Sequence, residues 1–250
     1  MTMQIPAAAL AELAPTGTLR VGLNLSNFLL VNRERVDGEP QGVAPDLGRE
    51  LARRLGVPLK FVTYPGAGEV TAAASADEWD AAFIGADPLR AGEVAFSAAY
   101  TEIEATYLVR GESPIHTLNE VDRPGVRIAV ADKSAYDMFL RRTLAHATLV
   151  RADGLEGSYQ LFVAEKLDVL AGLKPRLLTD QAKTPGSRIL AGNFTTIQQA
   201  IGTPAARTAA AAYLRVFAEE VKTGLVAQLI AKHAVQGLSV APPAQALKAR

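Results

Sequence analysis

Short apolar runs separated by amphipathic patterns fill the first hundred residues. Three runs are typical of buried strands: LRVGL at 19–23, LKFVTY at 59–64 and WDAAFI at 79–84. Between the first two, helical spacing is shown by Leu47, Leu51 and Leu55, and Gly56 is a typical helix end. A shorter helix is predicted for 69–76. Strands that alternate with helices indicate a mostly parallel sheet.

The same alternation begins again after residues 102–110, which we expect to cross between two parts of the molecule. Further strands are predicted at 126–130, 148–151, 168–171 and 188–190, and helices at 134–144 and 157–165. An extended stretch at 194–202 precedes two closing helices, at 205–222 and 225–233. The pattern predicts two α/β lobes, 17–104 with 199–237 and 105–198, and loose termini at 1–16 and 238–250.

Composition and charge exclude several classes of function. The chain has 26 basic and 26 acidic residues, so no excess positive charge attracts nucleic acid or an anionic membrane. It has no cysteine and three histidines far apart in sequence, which excludes disulfides and thiolate chemistry and argues against a metal site. The phosphate-binding motifs GxxxxGK[ST] and GxGxxG are absent, and no cofactor is expected. The GxSxG elbow is also absent, so serine hydrolase chemistry has no nucleophile motif.

No stretch approaches the roughly 20 apolar residues that a membrane span needs, so we expect a protein that is not membrane-embedded. The first residues, MTMQIPAAALAELAPTG, lack a basic start and an unbroken apolar segment, and they do not form a secretory signal pattern. Two alternatives stay open: Met1 is a natural intracellular start, which places the protein in the cytoplasm, or a signal was replaced.

The most specific segment is DAAFIGADPLRAGEVAFSAAY at 80–100. It resembles the "D…G", "TPxR" and "vxFSxPY" succession of type II solute-binding proteins of ABC importers, in the polar amino-acid-binding family. VRIAVADKSAYD, EKLDVLAG and QQAIGTP follow in the family's order, and the resemblance covers about 17–237. It implies two Rossmann-like α/β lobes joined by a two-segment hinge, the periplasmic-binding-protein-like II fold. It also implies a periplasmic monomer that closes over a small ligand for an ABC permease.

Arg90 is the leading candidate for ligand binding. It follows a predicted strand end, where open α/β sheets bind ligands, and a planar guanidinium grips a carboxylate through two hydrogen bonds. In the resembled family the arginine at this position holds the ligand's carboxylate. Gly85 lets a backbone amide approach the same carboxylate. The alternative is a surface arginine that pairs with Asp87 or Glu93.

Further candidates lie in the loops after the first strand of each lobe. Ser134 is a typical N-cap, and by resemblance the amides of Ser134 and Ala135 complete the carboxylate site, with Tyr136 at a polar contact position. In lobe 1 the resemblance implies polar contacts and an aromatic wall from three residues: Asn24, Asn27 and Phe28.

One position departs from the resembled family. Many amino-acid binders place an aspartate after LDVLAG to hold the ligand's α-ammonium group, whereas this chain has Leu173, followed by Lys174. Our hypothesis is that the ligand is a carboxylate without that ammonium, or binds it elsewhere. Glu104, with Glu102 on the same side of the crossing strand, is the substitute acid; the alternative for both is a solvated hinge position.

The preferred interpretation is a solute-binding protein, without catalytic residues, for a small anionic or zwitterionic ligand. Two other classes stay open. One is an intracellular ligand sensor or carrier on the same fold. The other is a dehydratase or lyase acting on a carboxylic acid, because relatives of this family include cyclohexadienyl dehydratases; its acid and base candidates are Glu102, Glu104, Lys133 and Lys174.

Overall fold

The computed structural model describes residues 5–32 and 38–244. The chain divides into two compact units, unit 1 with Met1–Glu102 and Gln198–Arg250, and unit 2 with Ile103–Ile197. The sequence pattern placed the two boundaries at 104/105 and 198/199. Among the described residues, no helix has the length and apolar character to cross a bilayer, and no group of acidic or histidine side chains is arranged to hold a metal ion.

The helices and strands follow one another in the order expected of α/β units. The helices are α1 (Ala7–Leu13), α2 (Val43–Leu55), α3 (Ala67–Ser75), α4 (Ala135–Thr143), α5 (Gly154–Ala164), α6 (Lys174–Lys183), α7 (Thr208–Lys222) and α8 (Leu225–Lys232). The strands are β1 (Leu19–Asn24), β2 (Leu59–Tyr64), β3 (Ala81–Gly85), β4 (Val94–Val109), β5 (Arg127–Ala131), β6 (Thr148–Ala152), β7 (Val169–Leu173), β8 (Arg188–Ile189), β9 (Thr195–Pro204) and β10 (Ser239–Val240).

In unit 1 the strands run in the order β2, β1, β3, β9. The first three are parallel, and β9 is antiparallel to β3. Helices α2 and α7 bury their apolar stripes in the main core of this unit, which includes Leu47, Leu51 and Phe217. Asn24 pairs in register with Tyr64, so the parallel strands end together. We call the side where β1, β2 and β3 end the unit 1 edge.

In unit 2, β5 is parallel to both β6 and β7, and β4 is antiparallel to β7. The three parallel strands end at Ala131, Ala152 and Leu173, and helices α4, α5 and α6 begin within a few residues of those ends. We call this side the unit 2 edge. Carboxyl ends of parallel strands with helix amino termini next to them are where open α/β sheets bind ligands.

The described parts of both termini are packed, so the prediction of loose ends was wrong. Ala9 and Leu13 of α1 are fully buried in the unit 1 core. Glu12 accepts a hydrogen bond from the backbone N–H of Ala210 at 2.8 Å, which ties α1 to the start of α7. At the other end, β10 pairs with β4. The sequence alone does not show what the short apolar face of α1 packs against. In the structure its partner is α7, some 200 residues away along the chain. Residues 1–4 and 245–250 of the predicted loose ends lie outside the described part.

Candidate functional site

Arg90 is held in a fixed position at the unit 1 edge. It ends a single 3₁₀ turn, Pro88–Arg90, which is capped by Asp87: the Asp87 carboxylate accepts from the backbone N–H of Leu89 at 2.9 Å. The guanidinium donates to the carbonyl oxygen of Gly85, and the residue is only 1% exposed. Burial lowers the pKa of Arg90 to about 10, against the opposing effect of Asp87. The group is therefore a rigid cation at neutral pH.

Gly85 was expected to let a backbone amide approach the ligand carboxylate, and the structure shows instead a contact between its carbonyl oxygen and Arg90. Gly85 lies opposite Gln199 in the β3–β9 pair, and its carbonyl oxygen accepts from Arg90, so this glycine positions the arginine. Gln199 is a residue that the sequence analysis missed. It is buried, and no described residue donates to its side-chain oxygen. Its position within QQAIGTP predicted only extended backbone, because a buried amide has no sequence signal of its own.

The loop after β1 brings Asn24, Asn27 and Phe28 to the unit 1 edge. The side-chain oxygen of Asn24 accepts from the backbone N–H of Ser26 at 3.0 Å and from its hydroxyl at 2.7 Å, so Asn24 shapes the turn. Asn27 is buried, and its side-chain oxygen has no hydrogen-bond donor among the described residues. The Phe28 ring is 44% exposed. The Phe28 face is therefore the exposed part of this loop, and Asn27 contributes a buried amide oxygen without a donor among the described residues.

At the unit 2 edge, Ser134 caps α4. Its hydroxyl oxygen accepts from the backbone N–H of Asp137 at 3.1 Å, so Ser134 is an N-cap, as the sequence predicted. Ala135 and Tyr136 are buried at the start of the helix, and burial raises the pKa of the Tyr136 phenol above its ordinary value. Tyr136 is thus packed within unit 2. The backbone N–H of Ser134 donates to the carbonyl oxygen of Ala131 at 3.3 Å, so of the two predicted amides that of Ala135, the first residue of α4, remains the candidate.

Asp137, which the sequence analysis did not select, holds the loop in front of α4. It is fully buried, and its carboxylate accepts from the backbone N–H of Lys133 at 3.1 Å and from Arg151 at 2.9 Å. Lys133 has a φ of 55°, the left-handed conformation that few side chains adopt. The buried carboxylate therefore stabilises an unfavourable backbone conformation directly before the helix.

Glu104 and Lys174 form an ion pair at the unit 2 edge, with Nζ and Oε2 2.6 Å apart. Glu102 lies in unit 1 and accepts a hydrogen bond from the Gln198 side chain. The two glutamates alternate with the buried Ile103 along β4, as predicted for one face of a strand. Leu173 is buried, so its side chain contributes no acceptor.

Each unit therefore has charged and polar groups where its parallel strands end, the place at which open α/β sheets bind ligands. The chain belongs to the bacterial extracellular solute-binding proteins, family 3, whose model matches residues 19–236. The resemblance drawn from the sequence motifs and the expected fold class are both confirmed. No curated protein matches the chain.

Solved structures with the same fold include proteins of three kinds. A putative binding component of an ABC transporter from Wolinella succinogenes, complexed with lysine, is 20% identical with a TM-score of 0.72, covering 87% of this chain and 95% of that one. An ancestral amino acid-binding protein, a precursor of cyclohexadienyl dehydratase, is 22% identical with a TM-score of 0.71, covering 89% and 98%. A histidine kinase sensor domain is 18% identical with a TM-score of 0.74, covering 90% and 98%.

Proposed function

We propose that this protein binds a small carboxylate-bearing solute and that Arg90 holds the carboxylate. The observation that carries the proposal is the buried, immobilised guanidinium at the end of β3. A guanidinium that is held in place at a strand end can grip a ligand carboxylate in the bidentate geometry that arginine favours. Asn27, Gln199 and Phe28 supply polar and aromatic contacts on the same unit.

Unit 2 takes part through the N–H groups at the start of α4, which attract a negative charge. In this proposal ligand binding favours a closed state, because contacts with both units are gained only on closure. Family membership supports delivery of the solute to an ABC permease and a location outside the cytoplasm. The lysine complex of an ABC transporter component on the same fold supports an amino-acid-like or organic-acid ligand.

Two alternatives use the same fold. The sensor domain and the dehydratase precursor among the similar structures show that this architecture also serves signalling and is related to catalysis. Of the acid and base candidates for catalysis, Glu104 pairs with Lys174 and Glu102 accepts from Gln198. We propose a binding protein rather than an enzyme, and turnover of the panel acids would contradict this choice.

We expect Arg90→Ala to weaken carboxylate binding at least about 100-fold, because the charge-assisted contact is lost where no water replaces it well. Titration calorimetry with a panel of small carboxylic acids measures this, and thermal unfolding without ligand checks that the variant folds. Arg90→Lys separates charge from bidentate geometry and is expected to recover only part of the affinity.

Arg53→Ala is the matched control, since it removes an exposed arginine of α2 in the same unit, whose side chain is 68% accessible. Its ligand affinity is expected to match that of the unaltered protein. Binding that survives in a folded Arg90→Ala variant contradicts the site assignment. A folded protein that binds none of the acids contradicts the proposed function.

A further inference from the structure

The ion pair at the unit 2 edge joins residues 70 positions apart in sequence. Lys174 is the first residue of α6, directly after β7, and Glu104 lies on β4. The antiparallel pairing of these strands sets Ala105 opposite Leu173 and so brings the two charged neighbours together, with Nζ 2.6 Å from Oε2. Both side chains are half-exposed, at 42% and 46%. The ammonium group of Lys174 therefore already pairs with the Glu104 carboxylate.

The pair and the start of α4 lie on the same edge of unit 2. β5 and β7 are parallel neighbours, with Ile128 opposite Val169. β5 ends at Ala131, shortly before α4 begins at Ala135, and β7 ends at Leu173, directly before Lys174 begins α6. Neighbouring strands are about 5 Å apart. The ion pair and the N–H groups proposed to meet the ligand's carboxylate thus share one edge.

We infer that Lys174 is a built-in replacement for a ligand ammonium group, and that the site takes carboxylates that lack an α-amino group. This inference rests on the proposed function, in which a carboxylate binds at Arg90. Three features at the edge support it. Glu104 is already neutralised, Leu173 has no acceptor side chain, and a second ammonium here meets the like charge of Lys174.

The test compares acids that differ only by the α-amino group: phenylalanine with 3-phenylpropanoate, leucine with 4-methylpentanoate, and glutamate with glutarate. For any pair that binds, we expect the unaltered protein to bind the acid without the amino group at least about tenfold more tightly, a difference of about 1.4 kcal/mol. Lys174→Met replaces the ammonium-bearing side chain with an apolar one of similar length and leaves Glu104 without its ion-pair partner. It is expected to shift the ratio of the two dissociation constants about tenfold or more toward the amino acid.

Glu104→Gln added to Lys174→Met is expected to abolish that gain, because the freed carboxylate is what receives the ammonium. Two variants serve as controls and are expected to leave the ratio unchanged. Lys183→Met removes a half-exposed lysine at the far end of the same helix, and Asp153→Asn neutralises an exposed acid that follows β6 at the same edge.

The outcomes separate the inference from the proposed function. Three results overturn the role of Lys174 while binding still depends on Arg90. The first is a ratio of dissociation constants that does not respond to Lys174→Met, and the second is an unaltered protein that prefers the amino acids. The third is a gain in amino-acid binding that survives the added Glu104→Gln substitution. A shift that appears in Asp153→Asn assigns the ammonium to that acid and also overturns the inference. Absence of binding by every acid, or binding that persists in Arg90→Ala, overturns both.

Discussion

Replacement of Asp80 with asparagine is expected to lower the free energy of unfolding by about 3–5 kcal/mol, the usual cost of breaking a buried ion pair from one side. Both oxygens of this fully buried carboxylate accept from arginines: Oδ1 from Arg20 at 2.7 Å and Arg207 at 2.6 Å, and Oδ2 from the Arg20 backbone N–H at 2.8 Å and side chain at 3.0 Å. An asparagine NH₂ group opposes one of these donors, and the substitution removes the fully buried charge that pairs with both guanidinium groups.

The loss reaches several elements because the Asp80 network joins them. Arg207 also donates to the carbonyl oxygen of Glu12 at 2.7 Å, which holds α1. The hydroxyl of Thr203, on β9, donates to the Asp80 carbonyl oxygen at 2.9 Å. These contacts lie at the opposite ends of β1 and β3 from the candidate site. The variant is therefore expected to destabilise unit 1 without changing the groups that we propose to bind the ligand.

Asp77→Asn is the matched control for charge. Asp77 pairs with the same two arginines, but its side chain is 65% accessible, against 0% for Asp80. Water replaces a lost partner at such a position, so a change within about 1 kcal/mol is expected. Urea unfolding of both variants gives the comparison. Equal losses at the two positions contradict the claim that burial makes the Asp80 pairs costly to break.

Much of the fold was predictable where the signals are local. LKFVTY forms β2 within the predicted bounds, Leu59–Tyr64, because its β-branched and aromatic residues are enclosed by Pro58 and Pro65. Helix α2 ends as predicted, since Gly56 adopts the left-handed conformation with a φ of 68°. Each of these features depends on a few neighbouring residues.

Other elements were missed because their signals are not local. Helix α6 begins with Lys174-Pro175 and buries Leu177 and Asp180, so it lacks a wide apolar stripe. β4 is one strand of 16 residues that continues from one unit into the other, whereas the sequence predicted a crossing segment only at 102–110. Its length reflects successive partners, β9, β7 and β10, that are distant in sequence.

Some features of the candidate site were likewise predictable from local sequence, and others depended on distant parts of the chain. The position of Arg90 at a strand end was predictable, because a strand and the following turn are short-range features. Its contact with the Gly85 carbonyl oxygen was not, and neither was the buried amide of Gln199, since both depend on how the 3₁₀ turn and β9 pack. The pairing of Glu104 with Lys174 required the register of β4 on β7, which no single segment contains.

Gly42→Ala is expected to lower the free energy of unfolding by about 3 kcal/mol or more, since backbone strain and overpacking each cost about 1–3 kcal/mol. Gly42 precedes α2 with a φ of 126°, and a Cβ atom there lies 2.3 Å from the carbonyl oxygen of Leu30. This obstacle is backbone, and the same oxygen accepts from the N–H of Ala44 at 3.1 Å, so it does not move without breaking that bond.

The same substitution is expected to weaken ligand binding, because a displaced Leu30 disturbs the turn in which the Leu30 N–H donates to the carbonyl oxygen of Asn27 at 3.0 Å. Gly224→Ala is the matched control: Gly224 also precedes a helix, but its φ of 177° lies outside the left-handed range and no atom lies within 4 Å of an added Cβ. Thermal unfolding and calorimetry on both variants test the argument. A Gly42→Ala protein as stable as Gly224→Ala shows that the α2 start accommodates a side chain, and removes the steric basis for coupling α2 to the Asn27 turn.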